Sequence, residues 1–591
     1  MVRALRWHIL AAAALAFAGV LAGIIACSGP EIPQPKVITP DEPGPSEDGV
    51  LFRESFDACV LDGGPSVQSD NFKDDCENPL SHISFKSTVW KTVGVSHVCD
   101  DAYMNSRGFA PWVYLFRVSE RPGYLACGVN SEGKRGIIQS PMLSAIAGVS
   151  DISVSFDIRP EPAMNDNFCF KVCLSGIIRS ATVGGKAFPV ESVHDGIEHS
   201  LIIPRGALSE GWNTITAEVS GATNGTMLYW SSETSDKSLN HGFYIDNIEV
   251  RETAVMERAG LRVLFWNIQN GMWSDQDKGF YNFKAFIEKY DPDVCVFGEA
   301  QSIYKDRSTS MCAVADRWFP SHWAGFGSAC GYPYTALGGY RLYADDYYPQ
   351  VILSKYPVET LELITETDAE HQALADGMAD GKSHAAEYHA RCAEGYCPVA
   401  HGAGLFRVDV KGRGVNIVSL HLWPHAYSYY AKFVIKNNSY DSENSRGGNV
   451  QREAEIKYIC SRTVEAAKYA GEENWLMMGD FNTRSRLDNW RYALPDDSPF
   501  LSSHDYILGH TFYKDIIAET YPGHFFATRT WANDAAGNYP PRYDFMYASP
   551  SMMARVKNAI VLNEAWTNMV WAMSNYYDSS DHRPLLVDFD L

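Results

Sequence analysis

Positive charge is scarce in this chain of 591 residues: 50 Lys and Arg stand against 72 Asp and Glu, a net charge of −22 with no basic run. A polyanion approaching such a protein meets an unfavourable long-range field. That counts against tight non-specific nucleic-acid binding and leaves room only for a local positive cleft. Closely paired cysteines are missing too. There are 13 cysteines but no paired C-x-x-C, so nothing in their spacing supports a zinc site. Long apolar runs are also absent, because the stretch from Ile9 to Ile25 is too short and wrongly flanked for a membrane span. What the chain does have is apolar and aromatic mass, 46% hydrophobic and 13% aromatic. That is a globular composition, and the length suffices for two to four domains.

The first residues have the form of a secretory signal: Arg3 and Arg6, then an uncharged apolar stretch from Ile9 to Ile25. The end of that stretch, Ile24-Ile25-Ala26-Cys27, resembles a bacterial lipobox, which implies lipidation of Cys27. Residues 1–27 are therefore expected to be a lipoprotein signal peptide. Residues 28–47 are rich in Pro and acid and are expected to form a semi-extended linker. The expectation is an exported bacterial lipoprotein, held to the outer membrane or cell surface by an N-terminal lipid anchor. Export admits disulfides among the remaining cysteines, six before residue 255 and six after it. Cys392 and Cys397 are spaced to close a small loop, and the full pairing cannot be deduced.

From 48 to 252 the chain reads as strands. DISVSFDIRP, HSLIIPRG, NTITAEVS and GFYIDNIEV alternate apolar and polar residues between Gly, Pro, Asn and Asp, without a convincing amphipathic helix. The expected fold is an all-β antiparallel sandwich. ESFD near its start and FYIDNIEV at its end resemble the jelly-roll, galactose-binding-like modules of secreted bacterial proteins. That resemblance implies a carbohydrate-binding module with a glycan as partner. Trp90, Trp112, Tyr114 and Trp230 are its aromatic candidates, and a core position is the stronger reading of each.

From 258 to 591 the pattern changes to strands alternating with helices. LRVLFWNI and VCVFGEA are buried strands, with the helical spacing of NFKAFIEKYDPD between them. VILSKYPV, GLFRVDV, VNIVSLHL and NWLMMG follow as strands, and 451–471 reads as the strongest helix in the chain. This argues a layered α/β domain. Its strands end in polar residues. Asn267 ends the first, Glu299 the next, and His421 a third, in SLHLW. WLMMGDFN ends in Asp480 and Asn482, PRYDFMY puts Arg542 and Asp544 on one face of a short strand, and SSDHRP places Asp581 and His582 before the last strand. Strand ends in such a domain collect at one edge. Four carboxylates, two Asn and two His at one edge are the kit for metal-assisted phosphoester hydrolysis.

In that order, Asn267, Glu299, His421, Asp480-x-Asn482, Asp544 and Asp581-His582 resemble the motifs of the endonuclease/exonuclease/phosphatase superfamily, the DNase-I-like fold. The resemblance covers 258–591 and implies a four-layer α/β sandwich. It implies a divalent cation, Mg²⁺ with Mn²⁺ or Ca²⁺ as substitutes, at Asn267, Glu299 and Asp581. It further implies His582 as general base or, as an imidazolium, as the group stabilising the phosphorane, oriented by Asp544, and Asp480 as the group orienting the nucleophile or a second metal. Asn482 would donate to a phosphate oxygen, and His421 would donate to the phosphate or assist the leaving group. Two features depart from the pattern: Ser419 stands where many relatives have Thr, and an insertion follows VILSKYPV, with His371, His384, His389 and His401.

The implied function is a phosphoester hydrolase, most often a phosphodiesterase, with a surface nuclease placed first. A phospholipid- or sphingomyelin-type phosphodiesterase and a small-phosphoester phosphatase are the alternatives. A non-catalytic surface glycan-binding protein is the remaining one, and the intact polar set argues against it.

Overall fold

The computed structural model describes residues 49–56, 113–115, 118–121, 124–128, 136–140, 142–173, 175–234, 236, 238–276, 279–300, 320–339, 349–364, 402–422, 443–530, 540–563 and 580–591. Cys27, the linker, Trp90, Trp112, Cys392, Cys397, the four histidines of the insertion and the side chain of Tyr114 lie outside this set.

The first half of the described chain forms two antiparallel sheets, one of eight strands and one of five. Ser150–Pro160 lies inside the larger sheet, paired with Asn213–Ala222 on one side and Phe243–Val255 on the other. Its residues alternate strictly between buried and half-buried, as a strand with one covered face must. Ile152, Val154, Phe156 and Ile158 point into a core shared with Phe170, Val172, Leu228 and Trp230 of the smaller sheet. The Phe156 and Trp230 rings meet edge to face at 5.8 Å. Trp230 is therefore core, as its sequence context favours. Cys127, Cys169, Cys173, Cys295, Cys330 and Cys460 are free thiols, so none of these six described cysteines realises the disulfides that export admits.

The second half contains two six-stranded mixed sheets built on one plan. The first runs Tyr334–Gly338, Gln350–Ser354, Val294–Gly298, Leu261–Asn267, Leu585–Phe589, Val556–Val561. The second runs Val358–Ile364, Ala403–Val410, Arg413–His421, Trp475–Asp480, Asp544–Ala548, Lys514–Asp515. In each sheet the two central strands are parallel and every other pairing is antiparallel. Val263, Phe265, Val296 and Val587 of the first sheet pack against Phe406, Ile417, Met478 and Met546 of the second. On the opposite face, Leu264, Trp266 and Phe297 meet Phe283, Phe286 and Ile287 of the helix Tyr281–Tyr290. Val418, Leu420 and Met477 likewise meet Ile456 and Ile459 of the helix Glu443–Arg462. The layers are helix, sheet, sheet, helix, the four-layer arrangement expected for 258–591.

Two sequence expectations shift. The long helix starts earlier than 451 and stops at Arg462, where Thr463 turns its hydroxyl back to the Ile459 carbonyl (2.7 Å). Arg542 does not share the strand of Asp544, which begins at Asp544 itself.

Candidate active site

Within each sheet the parallel pair delivers two C-terminal ends to the same place, and an antiparallel neighbour begins there. The first sheet supplies Asn267 and, one residue past Gly298, Glu299. The second supplies His421 and Asp480, paired directly across the ladder, with Asp544 opposite Asp480. His582 precedes the antiparallel strand Leu585–Phe589. Gly479 makes this close packing possible, since a Cβ there would lie 2.1 Å from the Leu420 carbonyl oxygen. Its role is close approach of two strands, inside the strand rather than in a turn.

Both strand pairs then leave the sheet through a strained residue. Glu299 has φ +53° and Asn482 φ +49°, left-handed backbone that side chains other than Asn and Asp rarely adopt. At Asn482 the turn is closed by its own N–H donating to Asp480 Oδ1 (2.8 Å). The Asn482 amide donates to His421 Nε2 (3.1 Å) and to the Leu422 carbonyl (3.0 Å). In this arrangement Asn482 fixes the His421 ring, rather than presenting its amide to a phosphate. Asn267 shows a related inversion. Its amide nitrogen bridges Glu299 Oε1 (3.2 Å) and Asp480 Oδ2 (3.0 Å), while its oxygen accepts from the Gln269 N–H (3.1 Å).

His582 is fixed on every side. Its Nδ1 lies 2.6 Å from Asp544 Oδ2, its N–H donates to Ser580 Oγ (3.0 Å), and its carbonyl accepts from the Trp266 indole (2.8 Å). Asp544 is held in turn by Thr528, whose Oγ1 accepts the Asp544 N–H at 3.0 Å. The Nε2 of His582 faces Arg529 Nη1 at 3.0 Å, Asp480 Oδ2 at 3.7 Å and Asp581 Oδ1 at 3.8 Å. His421 approaches the same Asp480 oxygen at 3.8 Å.

The electrostatics separate the two histidines. Burial, with the His582 charge adding to it, pushes His421 down to about 3, so it is neutral. Burial is the largest influence on His582 and disfavours its charge, as does Arg529, but the carboxylates of Asp544, Asp581 and Asp480 together outweigh them and raise the ring to about 9. Asp480 is raised to about 7, first by burial, with the His582 charge opposing and Asp544 adding to the rise.

A buried carboxylate whose charge is this poorly supported is suited to a cation. Ligand atoms of Glu299, His421 and Asp480 lie within 4.8 Å of one another, as do those of Asp480, Asp544 and His582. The oxygen-rich donor set around Glu299 and Asp480 fits a hard divalent cation. Asp581, expected among the metal residues, stands outside both groups and pairs with Arg529 (3.0 Å).

The eight sequence-predicted site residues thus converge on one edge. Arg542 does not join them: its guanidinium is buried between Asp488 (2.9 Å) and Asp515 (2.5 Å), a structural clamp. Sequence reasoning missed Arg529, Thr528 and Ser580. Ser580 sits in the SSDHRP motif and was within reach, but nothing in the pattern of FFATRTW marks Thr528 or Arg529.

Residues 264–582 match the family described as Endonuclease/Exonuclease/phosphatase. A search of curated proteins gives no match. Among solved structures, the chain is similar to a 3′ phosphatase from Neisseria bound to product DNA hairpin, at 14% identity and TM-score 0.35, over 56% of this chain and 100% of that one. An AP endonuclease from Archaeoglobus fulgidus matches at 15% identity and TM-score 0.32, over 56% and 100%. A mannosyl-6-phosphatase from Bacteroides thetaiotaomicron matches at 15% identity and TM-score 0.31, over 56% and 99%.

Proposed function

The chain belongs to the endonuclease/exonuclease/phosphatase family, and from that premise we propose that it is a Mg²⁺-dependent phosphodiesterase, a surface nuclease in the first instance. The observation that carries the proposal is His582 held at Nδ1 by Asp544 (2.6 Å), with its Nε2 aimed at the buried Asp480. Asp544 keeps a proton on Nδ1; the ring, raised to about 9, first gives its Nε2 proton to solvent and in that neutral form takes one from the attacking water. Water adds to phosphorus as the bond to the leaving oxygen breaks. The water's proton passes to Nε2, and the leaving oxygen takes a proton from solvent. His421, neutral and oriented by Asn482, stands on the other side of Asp480. A divalent cation at Glu299 and Asp480, with Asn267 and Asp581 beside them, would neutralise the charge developing on the phosphoryl oxygens.

Nicking of supercoiled plasmid by the full-length chain in Mg²⁺, with EDTA and Asp480→Asn as controls, tests this reading. Metal-dependent nicking that the variant loses supports a nuclease. A folded chain that leaves plasmid intact sinks the nuclease and moves the test to sphingomyelin and small phosphoesters.

The remaining features extend the proposal. Export and a lipid anchor at Cys27 rest on the leader alone, and palmitate labelling that survives Cys27→Ser would refute the anchor. The sandwich is read as a jelly-roll, glycan-binding module. Supporting it, Trp212 is 40% exposed and packs edge-on to Tyr124 (5.6 Å), beside the Arg159 guanidinium (5.2 Å). Glycan-array binding unchanged by Trp212→Ala would remove that platform from the account.

A further inference from the structure

We infer that Arg529 is a catalytic residue, the guanidinium that takes the reacting phosphoryl group, and that the β-sandwich holds it in place through its Asp195–Gly196 edge. The inference rests on the phosphoester-hydrolase reading of the same site.

The role follows from what Arg529 touches, compared with other buried arginines. Arg542 spends Nε, Nη1 and Nη2 on the carboxylates of Asp488 and Asp515. Arg262 grips Asp588 with Nε (2.6 Å) and Nη2 (2.8 Å), and gives Nη1 to the Tyr290 carbonyl (2.9 Å). Both are structural clamps, and none of these contacts involves a residue of the edge constellation. Arg529 instead reaches His582 Nε2 with Nη1 (3.0 Å) and Asp581 Oδ2 with Nη2 (3.0 Å). The first of these is the atom that receives the water's proton. A phosphoryl group attacked by water at Nε2 is within reach of the same fork, whose paired N–H groups match two phosphoryl oxygens. With Glu299, Asp480, Asp544 and Asp581 crowding the site, an incoming phosphate needs such a donor, and Arg529 stands at the reacting atom.

The backbone that presents Arg529 is fastened on two sides. Toward the catalytic domain, the Arg529 N–H donates to the Pro541 carbonyl (3.0 Å) and the Thr530 N–H to the Asp581 carbonyl (2.9 Å). Arg583 Nη1 donates to the Ala527 and Arg529 carbonyls, both at 2.9 Å. Toward the sandwich, Asp195–Gly196 pairs in parallel with Phe525–Phe526. The Phe525 N–H donates to the His194 carbonyl (2.8 Å), and the Ala527 N–H to the Gly196 carbonyl (3.1 Å). The buried His194 ring stacks on Phe526 at 4.3 Å, and its Nδ1 lies 2.7 Å from the Phe525 carbonyl oxygen. Only glycine fits at 196, where φ is +116° and a Cβ would lie 2.9 Å from the Phe525 ring. A side chain there pushes on Phe525, four residues before Arg529. Gly196 and His194 are positioning residues in this account.

The test uses full-length chain and bis(p-nitrophenyl) phosphate in Mg²⁺, with wild type, Arg529→Met, Arg529→Lys, Gly196→Val and the Arg529→Met/Gly196→Val double variant. Arg529→Met is expected to lower kcat/KM about 100-fold, and Arg529→Lys to recover only part of it. Gly196→Val is expected to lower kcat about tenfold with KM near wild type, as a displaced catalytic group does. In the Arg529→Met background Gly196→Val should cost nothing more, because it acts through a side chain already removed. Wild-type kcat/KM in Arg529→Met overturns the assignment. A Gly196→Val loss that persists undiminished in the double variant overturns the positioning role. If Gly196→Val does not fold, His194→Gln is carried through the same cycle. A wild type that hydrolyses no phosphoester defeats the functional reading separately. Titration calorimetry with inorganic phosphate then decides on Arg529, where affinity weakened about tenfold in Arg529→Met supports the inference and equal affinity overturns it.

Discussion

In the sandwich strand Ser150–Pro160 burial alternates at every residue, whereas in the catalytic-domain strand Leu261–Asn267 every residue is buried. Val294–Gly298, Trp475–Asp480 and Asp544–Ala548 share the second pattern. The contrast decides where polar groups can go. A sheet with one open face sheds them sideways into solvent, as Ser153, Ser155 and Asp157 do. A sheet covered on both faces has no sideways outlet, so the polar residues that form a site collect where strands end. Asn267, Glu299, His421, Asp480 and Asp544 are gathered by that constraint before any chemistry is asked of them.

Breaking the gathered set should give the largest effect. Asp544→Asn removes the carboxylate that holds the His582 Nδ1 proton, and kcat should fall about 1,000-fold in a steady-state assay while Tm changes little. Next come the cores. Trp230→Ala, at a fully buried site of the sandwich, should cost about 3–5 kcal/mol in a denaturant titration. Arg542→Met should cost a similar amount, since it leaves Asp488 and Asp515 buried without their cation.

The junction between the two halves gives a smaller effect, set by pH. Burial pushes His194 down to about 3 and His199 to about 4, so both fold neutral. The unfolded chain takes up these protons near pH 6.5 and the folded chain does not. Stability is therefore full above pH 6.5 and lost as pH falls toward 4 and then 3. Between pH 7 and pH 5 the loss should be on the order of 2 kcal/mol per histidine, and His194→Gln should flatten the pH dependence of Tm. Smallest of all, Trp212→Ala on the open face of the sandwich should change stability by no more than about 0.5 kcal/mol. A large loss there would erase the distinction between the two faces.

The same contrast explains what the sequence could disclose. Alternation marks sandwich strands directly, and continuous apolar runs ending in Asn, Glu, His or Asp mark the covered ones. The edge constellation was legible because each of its members terminates such a run or opens one. Asn482 was legible as a site residue but not in its task, because its left-handed backbone turns the amide onto His421. Asn267 likewise presents nitrogen where its position in the series suggested an oxygen ligand. Arg542 was expected on one strand face with Asp544, and only the fold shows it turned to Asp488 and Asp515. Arg529 was illegible. Its place depends on a strip paired to residues 194–196, more than 300 positions away, and no local pattern encodes such a pairing.

The measurement closest to the central claim is the turnover of bis(p-nitrophenyl) phosphate by EDTA-stripped wild type and His582→Ala, each titrated with Mg²⁺. The account predicts that wild type regains turnover as Mg²⁺ returns, while His582→Ala stays at least about 100-fold lower at every concentration. Turnover that ignores Mg²⁺, or that the two proteins share equally, would contradict it.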